Sequence, residues 1–535
     1  MNHIFIFNNG SRAAGYGIGS YVSQLKEGLS ALPETKVSMV EMQADTKEFV
    51  YEEDNQGVCH YKIPLMKSNA ENETYCRTIY YLLVRNIVVA EDDHIIFQFN
   101  YFHHFLLALL LKAWFPNSKI VLTVHYLNWC FELKGNVKRM RKIVADKDLK
   151  DDAERKILSS IEDEQLFLHL ADKVIVLSKH TEKILVDDYK VLPEKMYLIY
   201  NGTGCDSCPR ANHNDMRQIL FVGRLDEIKG LKYLIEAFCQ ICAKHKDVHL
   251  SIVGDGDFQP YMIQGRKYIE RISFFGKMYK NEVDEIYKTA YIGAMPSFHE
   301  QCSYTAIEFM RHGIPIVGTD STGLSEMLDA TPTLRVHIEE VDFDEKNFIS
   351  QIAACLDLLL SDDTIYRAAS CAVSKLYEKR YTGPAMIEGL LRAVKTNGDP
   401  MIQPDFLSHI DDWMVNLINR QPNIDMDFYG LGGIGIYLWW RVLQLEKESC
   451  VYAERLALIK EHLVYCLDWM YECVIEENTL SSELSALLTN MKNHLFYPMK
   501  VKQLLKYASE VKSQDDLPSE SKILHNALRI ISCKL

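Results

Sequence analysis

The sequence has no uninterrupted apolar run as long as the roughly 18 residues with which a helix would span a bilayer. The closest candidate, Phe105–Phe115, is shorter and is interrupted by Lys112. The N-terminus, MNHIFIFNNG, lacks the basic and apolar segments of a signal peptide, so we interpret it as a first β-strand. Without an export signal, the 14 cysteines are expected to be mostly reduced thiols of a cytosolic protein.

Positive charge is also scarce, because 59 Lys and Arg stand against 73 Asp and Glu and the net charge is −14. A chain this acidic has no global attraction for phosphate backbones, so nucleic acid is not expected as a partner. The most basic segment, Lys134–Lys142, is interpreted as a solvated helix face, with contact to anionic lipid or an acidic acceptor as the alternative. The expected localisation is cytoplasmic, with peripheral membrane contact left open.

The chain is too long for one compact core: 535 residues correspond to about three domains. With 48% hydrophobic and 25% charged residues, the composition excludes a mainly disordered, collagen-like or rod-like chain. Up to residue 200, and again from 218 to 395, apolar strand-like runs alternate with helical segments, which predicts two doubly wound parallel sheets. Beyond residue 397, helical periodicity dominates. We therefore predict domains at 1–205, 206–397 and 398–535.

The strands expected in each sheet can be read from the apolar runs. For the first sheet they are His3–Phe7, Lys36–Met42, Ile95–Phe99, Lys119–Val124, Lys173–Ser178 and Met196–Tyr200. For the second they are Gln218–Gly223, His249–Gly254, Ile272–Gly276, Ile292–Ser297 and Pro315–Thr319.

Two C-x-x-C pairs, Cys205–Cys208 and Cys239–Cys242, have the spacing of zinc ligands. The second pair lies in a helical pattern that would turn both thiols toward a core, so we interpret these cysteines as structural. The segment Asp255–Asp257 has the form of a metal-binding D-x-D, but it is interpreted as a turn. No metal is therefore expected.

Ligands of doubly wound sheets bind at the carboxyl ends of the strands, so the loops that follow the strands are the candidate sites. The first loop is rich in small residues, including Gly17 and Gly19, which let the backbone approach a ligand. In the second sheet, Arg224 and Lys229 flank a turn that enters a helix, and two cations there suit a diphosphate. The alternative is a solvated charged turn.

The strongest element is the segment Pro296–Pro315. A helix is expected to start near Ser303, so that loop amides at Ser303 and Tyr304 can hold phosphate oxygens. Glu308, inside that helix, can accept hydrogen bonds from both hydroxyls of a ribose, because a carboxylate accepts two donors at once. Glu300, before the helix, would lie near the departing sugar.

These motifs occur in a fixed order: Gly223-Arg-x4-Lys-Gly230 and Glu300-x7-Glu308 follow a glycine-rich first loop. Together they resemble the GT4-type retaining glycosyltransferases of GT-B fold, or glycosyl transferases group 1. Tyr200–Gly202, Gly254–Gly256 and Thr319–Glu326 also match. The resemblance covers residues 1 to about 395 and leaves the helical C-terminal region as an appendage. It implies two Rossmann-like domains that face a cleft.

The resemblance also implies roles for particular residues. Arg224 and Lys229 would clamp the donor diphosphate, Glu300 would contact donor-sugar hydroxyls, and His125 matches the active-site histidine near the sugar. The backbone around Gly276, Lys277 and Met278 would face the base. The implied catalytic set is His125, Glu300, Arg224 and Lys229; the implied nucleotide-sugar contacts are Gly17, Gly19, Arg224, Lys229, Gly276, Lys277, Met278, Ser303, Tyr304 and Glu308.

The expected reaction is transfer of a sugar from a nucleotide diphosphate donor, with UDP as the expected nucleotide, to an acceptor hydroxyl without a metal or other cofactor. Fixed cations can stabilise the leaving diphosphate, and one such contact is typically worth about 10²–10³ in rate. Where many relatives have small residues after the first glutamate, this chain has Gln301, Cys302 and Ser303, and we expect these larger side chains to alter which donor sugar fits. The acceptor is a glycan, a lipid-linked glycan, a small molecule or a peptide.

Two alternative functions fit the same fold. A UDP-sugar 2-epimerase would need an acid/base set that the sequence does not display, and a non-catalytic sugar-nucleotide-binding scaffold would lack the clamp residues that are present. The helical tail either docks a partner or acceptor or only stabilises the chain.

Overall fold

The computed structural model describes residues 2–10, 17–65, 72–87, 93–115, 117–146, 151–204, 208, 216–339, 341–395, 411, 415, 418, 431–446 and 453–477. The chain divides into two compact units. The first consists of residues 1–75, 88–104 and 119–398, and it contains both β-sheets. The second consists of residues 76–87, 105–118 and 399–535. The predicted domain division stays a prediction. The second unit includes two segments, 76–87 and 105–118, of the predicted N-terminal domain.

The first sheet has eight strands in the order β3-β4-β2-β1-β5-β6-β7-β8. All neighbours are parallel except β3 and β4, which form an antiparallel edge. Its strands are β1 Asn2–Asn9, β2 Thr35–Ala44, β3 Val50–Glu53, β4 Cys59–Pro64, β5 His94–Phe99, β6 Lys119–Val124, β7 Lys173–Val176 and β8 Met196–Leu198.

The second sheet has six parallel strands in the order β11-β10-β9-β12-β13-β14. Its strands are β9 Arg217–Val222, β10 Val248–Val253, β11 Ile272–Gly276, β12 Ala290–Met295, β13 Ile316–Thr319 and β14 Arg335–Val336. Strand β12 is buried along its whole length, as expected when helices cover both faces of a parallel sheet.

Helices connect the strands of both sheets. In chain order they are α1 Gly17–Ser30, α2 Asn72–Asn86, α3 Phe105–Trp114, α4 Trp129–Glu132, α5 Val137–Ala145, α6 Asp152–Leu170, α7 Lys179–Asp187, α8 Leu231–Ile241, α9 Gln259–Gln264, α10 Lys280–Thr289, α11 Tyr304–Arg311, α12 Thr322–Met327, α13 Glu345–Ser361, α14 Asp363–Arg380 and α15 Gly383–Lys395. Short 3₁₀ turns occupy Phe102–His104, Glu227–Lys229, Pro193–Lys195, Arg266–Arg271 and Pro332–Leu334.

Helix α1 shows why these segments fold as helices against a sheet. Tyr21, Val22, Leu25 and Leu29 recur at helical spacing and are buried. At the other end of the first unit, Ile387 of α15 packs closely against α1, since a Cβ at Gly28 would lie 2.4 Å from the Ile387 side chain. Helix α15, which follows the second sheet in the chain, therefore packs against the domain of the first sheet.

In the second unit, the described part of the tail is helical, in agreement with the predicted all-α character. It contains α16 Leu431–Leu445 and α17 Ala453–Glu477. The carboxylate of Asp411 accepts hydrogen bonds from Tyr437 and Arg441, and all three side chains are buried. None of the helices described in the chain combines the length and the apolar character needed to cross a membrane.

The predicted doubly wound sheets are confirmed, and β6 and β11 have the predicted limits. Strands β3, β4 and β14 were not predicted. β3 is exposed over three of its four residues and β14 has only two residues, so neither has the apolar run on which the prediction relied. β4 alternates between buried and half-buried residues, which is typical of a strand near a sheet edge.

A buried carboxylate fixes the segment that follows β6. Glu164 of α6 is fully buried, and its carboxylate accepts hydrogen bonds from the backbone N–H of Asn128 and from the hydroxyl of Tyr189. Burial raises the pKa of Glu164 from its ordinary value of 4.5 to about 7. The contact holds Asn128 three residues after His125, the predicted active-site histidine.

The raised pKa of Glu164 predicts a pH-dependent stability. The unfolded chain releases this proton near pH 4.5 and the folded chain near pH 7. Protonated Glu164 therefore contributes its full stabilisation to the folded chain below pH 4.5. As the pH rises from 4.5 to 7, this contribution to the free energy of unfolding is lost, by at most about 1.4 kcal/mol per pH unit. Thermal unfolding from pH 5 to pH 7 should show the wild type losing stability relative to Glu164→Gln, in which the amide does not titrate.

The control for this experiment is Glu162→Gln, which removes an exposed carboxyl from the same helix. Its melting temperatures should run parallel to those of the wild type across the pH range. If Glu164→Gln also ran parallel to the wild type, the carboxyl of Glu164 would not titrate as described.

Candidate active site

A cavity of about 750 Å³ lies in the first unit, at the carboxyl ends of strands from both sheets. Its lining includes Val222 and Val253, the last residues of β9 and β10, and His125, which directly follows β6. This is where doubly wound sheets bind ligands. The lining from residues 17–203 is Gly17, Ile18, Ser20, Gln24, His125, Tyr126, Asn128, Phe131, Leu177, Asn201 and Thr203.

Two loops of the second sheet's domain are in direct contact beside the cavity. Gly230 has a φ of +68°, and a Cβ there would lie 2.1 Å from the carbonyl oxygen of Pro296. Only glycine allows this approach without displacing backbone. The N–H of Phe298 donates to the carbonyl of Ile228 at 2.8 Å, which fastens the loop before Gly230 to the loop after Pro296.

This loop contact brings the second predicted cation to the first predicted glutamate. The Nζ atom of Lys229 lies 2.6 Å from Oε1 of Glu300, and both side chains are largely buried. Arg224 makes its own ion pair, with Nε 3.1 Å from the carboxylate of Asp226. Both cations of the predicted clamp are thus paired with acids of the chain, and a diphosphate would have to compete for them.

The Glu300 loop is also held from its other side by the start of α12. The hydroxyl of Thr322 donates to the Glu300 carbonyl at 2.6 Å, and the Glu300 N–H lies 3.0 Å from the same hydroxyl oxygen. The N–H of Gly323 donates to the Glu300 carbonyl at 2.8 Å. Thr322 adopts a φ of +41°, which is uncommon for a β-branched residue. The backbone is therefore strained at the residue that holds the Glu300 loop.

Glu308 lies in α11 with its carboxylate at the cavity and 9% of its surface exposed. One carboxylate oxygen accepts a hydrogen bond from the Thr203 hydroxyl at 3.2 Å, and the other lies 3.5 Å from Arg311. Burial raises the pKa of Glu308, while Arg311 opposes the shift. The helix begins at Tyr304 after Ser303, as predicted.

His125 is held in one tautomer. The Asn100 side-chain N–H₂ donates to the Phe7 carbonyl, so its oxygen faces His125 and accepts from Nε2 at 2.9 Å. Burial lowers the pKa of His125 to about 3, so the ring is neutral and Nδ1 carries the lone pair. The Tyr21 ring packs edge-on against it at 4.7 Å between centroids.

The structure brings most of the predicted site residues to this one cavity. Two of them, Gly19 and Gly276, are not in its lining: Gly19 is half-buried in α1, and Gly276 ends β11 one residue before the lining begins. Those in the lining are His125, Glu300, Arg224, Lys229, Gly17, Lys277, Met278, Ser303, Tyr304 and Glu308.

The unusual residues after Glu300 connect the two sheets' domains. The side-chain oxygen of Gln301 accepts hydrogen bonds from Ser178 and Thr181 at the start of α7. The carbonyl of Cys302 accepts from the Asn201 side chain at 2.6 Å. Gln301 thus directs its amide oxygen to a neighbouring helix, although the residue also contributes to the cavity lining.

The cysteine pairs, the D-x-D segment and the basic segment were the other candidates from the sequence. Cys205 lies outside the described residues, while Cys239 and Cys242 are free thiols that pack with the core of the second sheet. Residues 254–256 form a bend, as predicted for the D-x-D segment. In the basic segment, Arg141 bonds the Asp188 carboxylate at 2.8 and 2.9 Å.

One group among the described residues could hold a metal ion: Asp284, Glu308 and His312, whose ligand atoms lie within 4.8 Å of one another. The sequence did not indicate this group, since Asp284 lies in α10, Glu308 in α11 and His312 directly after α11. Two of them, Asp284 and Glu308, also line the cavity.

Sequence reasoning also missed His299, Asn201 and Phe131, which line the cavity. Asn201 falls in a motif that matched the family, and His299 directly precedes Glu300, so position in a motif could have identified both. Phe131 follows β6 by seven residues and has no such signal. Only the fold brings it to the cavity.

Two family models match the chain. Residues 16–206 match the family model described as Glycosyltransferase Family 4, and residues 216–359 match the one described as Glycosyl transferases group 1. An uncharacterized glycosyltransferase of Methanocaldococcus jannaschii is 28% identical over 31% of this chain and 46% of its own length. The chain spans about half the length of the first curated relatives that it matches.

Solved structures share the fold. Sucrose-phosphate synthase from Thermosynechococcus elongatus aligns with a TM-score of 0.59 and 20% identity over 74% of this chain and 98% of its own. A UDP-forming trehalose-phosphate synthase from Burkholderia xenovorans, solved with glucose-6-phosphate, aligns with a TM-score of 0.51 and 14% identity over 74% of this chain and its whole length. The predicted GT-B fold is confirmed. Residues 16–206 and 216–359 are thus similar to the family 4 and group 1 glycosyltransferases, respectively.

Proposed function

We propose that the chain is a retaining glycosyltransferase that moves a sugar from a nucleotide diphosphate donor, UDP being the expected nucleotide, to an acceptor hydroxyl. The observation that carries the proposal is the single cavity that contains Arg224, Lys229, Glu300 and Glu308. The two matched families support the reaction class. The UDP-forming relative of the same fold supports the choice of nucleotide.

Five residues of the cavity have a role in this reaction. Arg224 and Lys229 bind the diphosphate and stabilise the negative charge that develops as it leaves. Glu308 accepts hydrogen bonds from the ribose hydroxyls, and Glu300 orients hydroxyls of the donor sugar. The lone pair of His125 at Nδ1 accepts a hydrogen bond from a further sugar hydroxyl, because Nε2 is already engaged by Asn100.

The bond changes follow from this arrangement. The bond between the anomeric carbon and the diphosphate oxygen breaks, and the acceptor oxygen bonds to the anomeric carbon from the same face. The acceptor's proton passes to the leaving phosphate oxygen, so no protein nucleophile is required and the anomeric configuration is retained. The cations of the chain provide the charge that a metal supplies in other enzymes.

A thermal-shift panel of nucleotides and nucleotide sugars tests the proposed function. A ligand at 100 times its dissociation constant stabilises the folded chain by about 2.7 kcal/mol. UDP and one or more UDP-sugars should raise the melting temperature, and 2′-deoxy-UDP should raise it less, because Glu308 loses one hydroxyl partner. If no nucleotide diphosphate shifts the melting temperature, the proposal is wrong.

The clamp is tested by Arg224→Ala and Lys229→Ala. Each substitution should lower turnover by about 10²–10³, because each removes one charge from the leaving group. Steady-state release of the nucleotide with the best donor from the panel measures the effect.

A matched control for the clamp is Lys232→Ala. This lysine lies three residues beyond Lys229, pairs with Glu345 and is absent from the cavity lining. Its turnover should stay close to that of the wild type. Near-normal turnover of Arg224→Ala and Lys229→Ala, with the fold intact by circular dichroism, would count against the clamp.

Metal independence is a separate prediction. Turnover should be unchanged after treatment with EDTA, because Arg224 and Lys229 already supply the positive charge. Activity that is lost in EDTA and restored by Mn²⁺ would contradict this, and the group Asp284, Glu308 and His312 would then be the first candidate for the ion. The variant His312→Gln would distinguish that group from another metal site.

A further inference from the structure

His299 is a buried polar side chain at the cavity with no hydrogen-bond partner in the described part of the chain. It is 7% exposed, and both Nδ1 and Nε2 are buried without a partner. A buried polar atom left unpaired costs about 1–3 kcal/mol, which a ligand that supplies a partner would recover. His299 lines the cavity, where a ligand can supply the missing partner.

The position of His299 is fixed by its neighbours. Phe298, before it, donates its N–H to the carbonyl of Ile228, and Glu300, after it, is held by Thr322. Both flanking residues are therefore anchored by backbone hydrogen bonds. The backbone that carries His299 is therefore fixed before any ligand arrives, which reduces the entropy cost of binding.

His299 lies where the second sheet's domain meets a loop of the first. The ring of Phe131 is edge-on to it at 6.3 Å between centroids. Gly135 has a φ of +76°, and a Cβ there would lie 3.4 Å from Nδ1 of His299 and 3.2 Å from the Phe298 carbonyl. The ring thus sits next to the wall that residues 17–203 contribute.

That wall carries no formal charge among its described residues. Its polar groups are hydroxyls, amides and His125, which is neutral because burial lowers its pKa to about 3. The charged side chains of the lining all come from the second sheet's domain: Arg224, Lys229, Asp255, Lys277, Lys280, Asp284, Glu300 and Glu308. A phosphorylated acceptor would find no described cation on the wall that faces the donor.

Two aromatic rings complete this wall. Tyr126 and Phe131 pack at 5.5 Å between centroids, and Phe131 is 47% exposed although it is a large apolar residue. Exposed aromatic rings beside a few polar groups are typical of sites that bind small ligands with both apolar faces and hydroxyls.

His299 itself is suited to hydroxyls and not to anions. Burial lowers its pKa to about 3, and the nearby Lys229 and His180 act in the same direction, so the ring is neutral. A neutral imidazole offers one donor and one acceptor, which is the complement of a hydroxyl group.

We propose that the acceptor is an uncharged sugar, and that His299 binds one of its hydroxyls beside the rings of Tyr126 and Phe131. This inference rests on the proposed function and names the acceptor class for the same cavity. His299 is an acceptor-binding residue in this assignment, distinct from the residues that hold the donor diphosphate.

The experiment pairs neutral acceptors with their phosphates. The full chain is supplied with the UDP-sugar that stabilises it most, and with glucose, N-acetylglucosamine or myo-inositol, each tested beside its monophosphate. For at least one pair, kcat/KM should be tenfold or more higher for the neutral member. Higher kcat/KM for the phosphates, or transfer to none of the neutral sugars, would overturn the assignment.

The role of His299 is tested by His299→Ala and His299→Gln with the best neutral acceptor. His299→Ala should raise the acceptor KM on the order of tenfold, the loss expected for one or two hydrogen bonds between neutral groups. His299→Gln should recover part of it, because an amide also offers a donor and an acceptor. The dissociation constant of UDP should stay within about twofold for both variants.

His94→Ala is the control, since this exposed histidine at the start of β5 is absent from the cavity lining. An unchanged acceptor KM in a folded His299→Ala protein would overturn the role of His299. Weakening of UDP binding by tenfold or more in His299→Ala would also overturn it, because His299 would then contribute to binding of the donor. Failure of the wild type to bind UDP would instead contradict the proposed function.

Discussion

The contact between the loop that ends at Gly230 and the loop that follows Pro296 is the constraint on which the site depends. A left-handed glycine lets the two backbones touch, and the hydrogen bond from Phe298 to Ile228 locks them. Lys229 and Glu300 then meet at 2.6 Å in a largely buried ion pair. Such a pair favours specificity of geometry more than stability, because desolvation of both charges offsets their attraction. In the proposed function, the negatively charged diphosphate of the donor replaces Glu300 as the partner of Lys229, so the lysine stays paired.

The cavity divides its chemistry between the two sheets' domains. The domain of the second sheet contributes every charged residue of the described lining, and the first contributes hydroxyls, amides and aromatic rings. This division fits a reaction in which one substrate carries a diphosphate and the other carries neither charge nor leaving group. In the proposed reaction, ion pairs bind the diphosphate, and hydrogen bonds and ring contacts bind the acceptor.

Hydrogen bonds near the cavity connect the domains of the two sheets. Gln301 accepts hydrogen bonds from Ser178 and Thr181, and Glu326 accepts from the N–H of Lys179, so two side chains of the second sheet's domain satisfy donors at the start of α7. The side-chain N–H₂ of Asn201 donates a further hydrogen bond to the carbonyl of Cys302. These contacts cross from one domain to the other, and Asn201, Gln301 and Cys302 also line the cavity. Of the three residues after Glu300, Gln301 therefore contributes its side chain, and Cys302 its backbone carbonyl, to the contact between the domains.

The sequence by itself determined the two doubly wound sheets, the loops that bear the ligand-binding residues and the spacing between Glu300 and Glu308. These are local properties: apolar runs mark buried parallel strands, and a motif on a strand–loop–helix unit keeps its geometry wherever the unit lies. Only the tertiary structure decided that Lys229 pairs with Glu300, that Gly19 and Gly276 lie outside the lining, and that His299 is buried beside Phe131. Those outcomes depend on the approach of segments more than 60 residues apart in the chain, and pairings at that distance leave no periodic trace in the sequence.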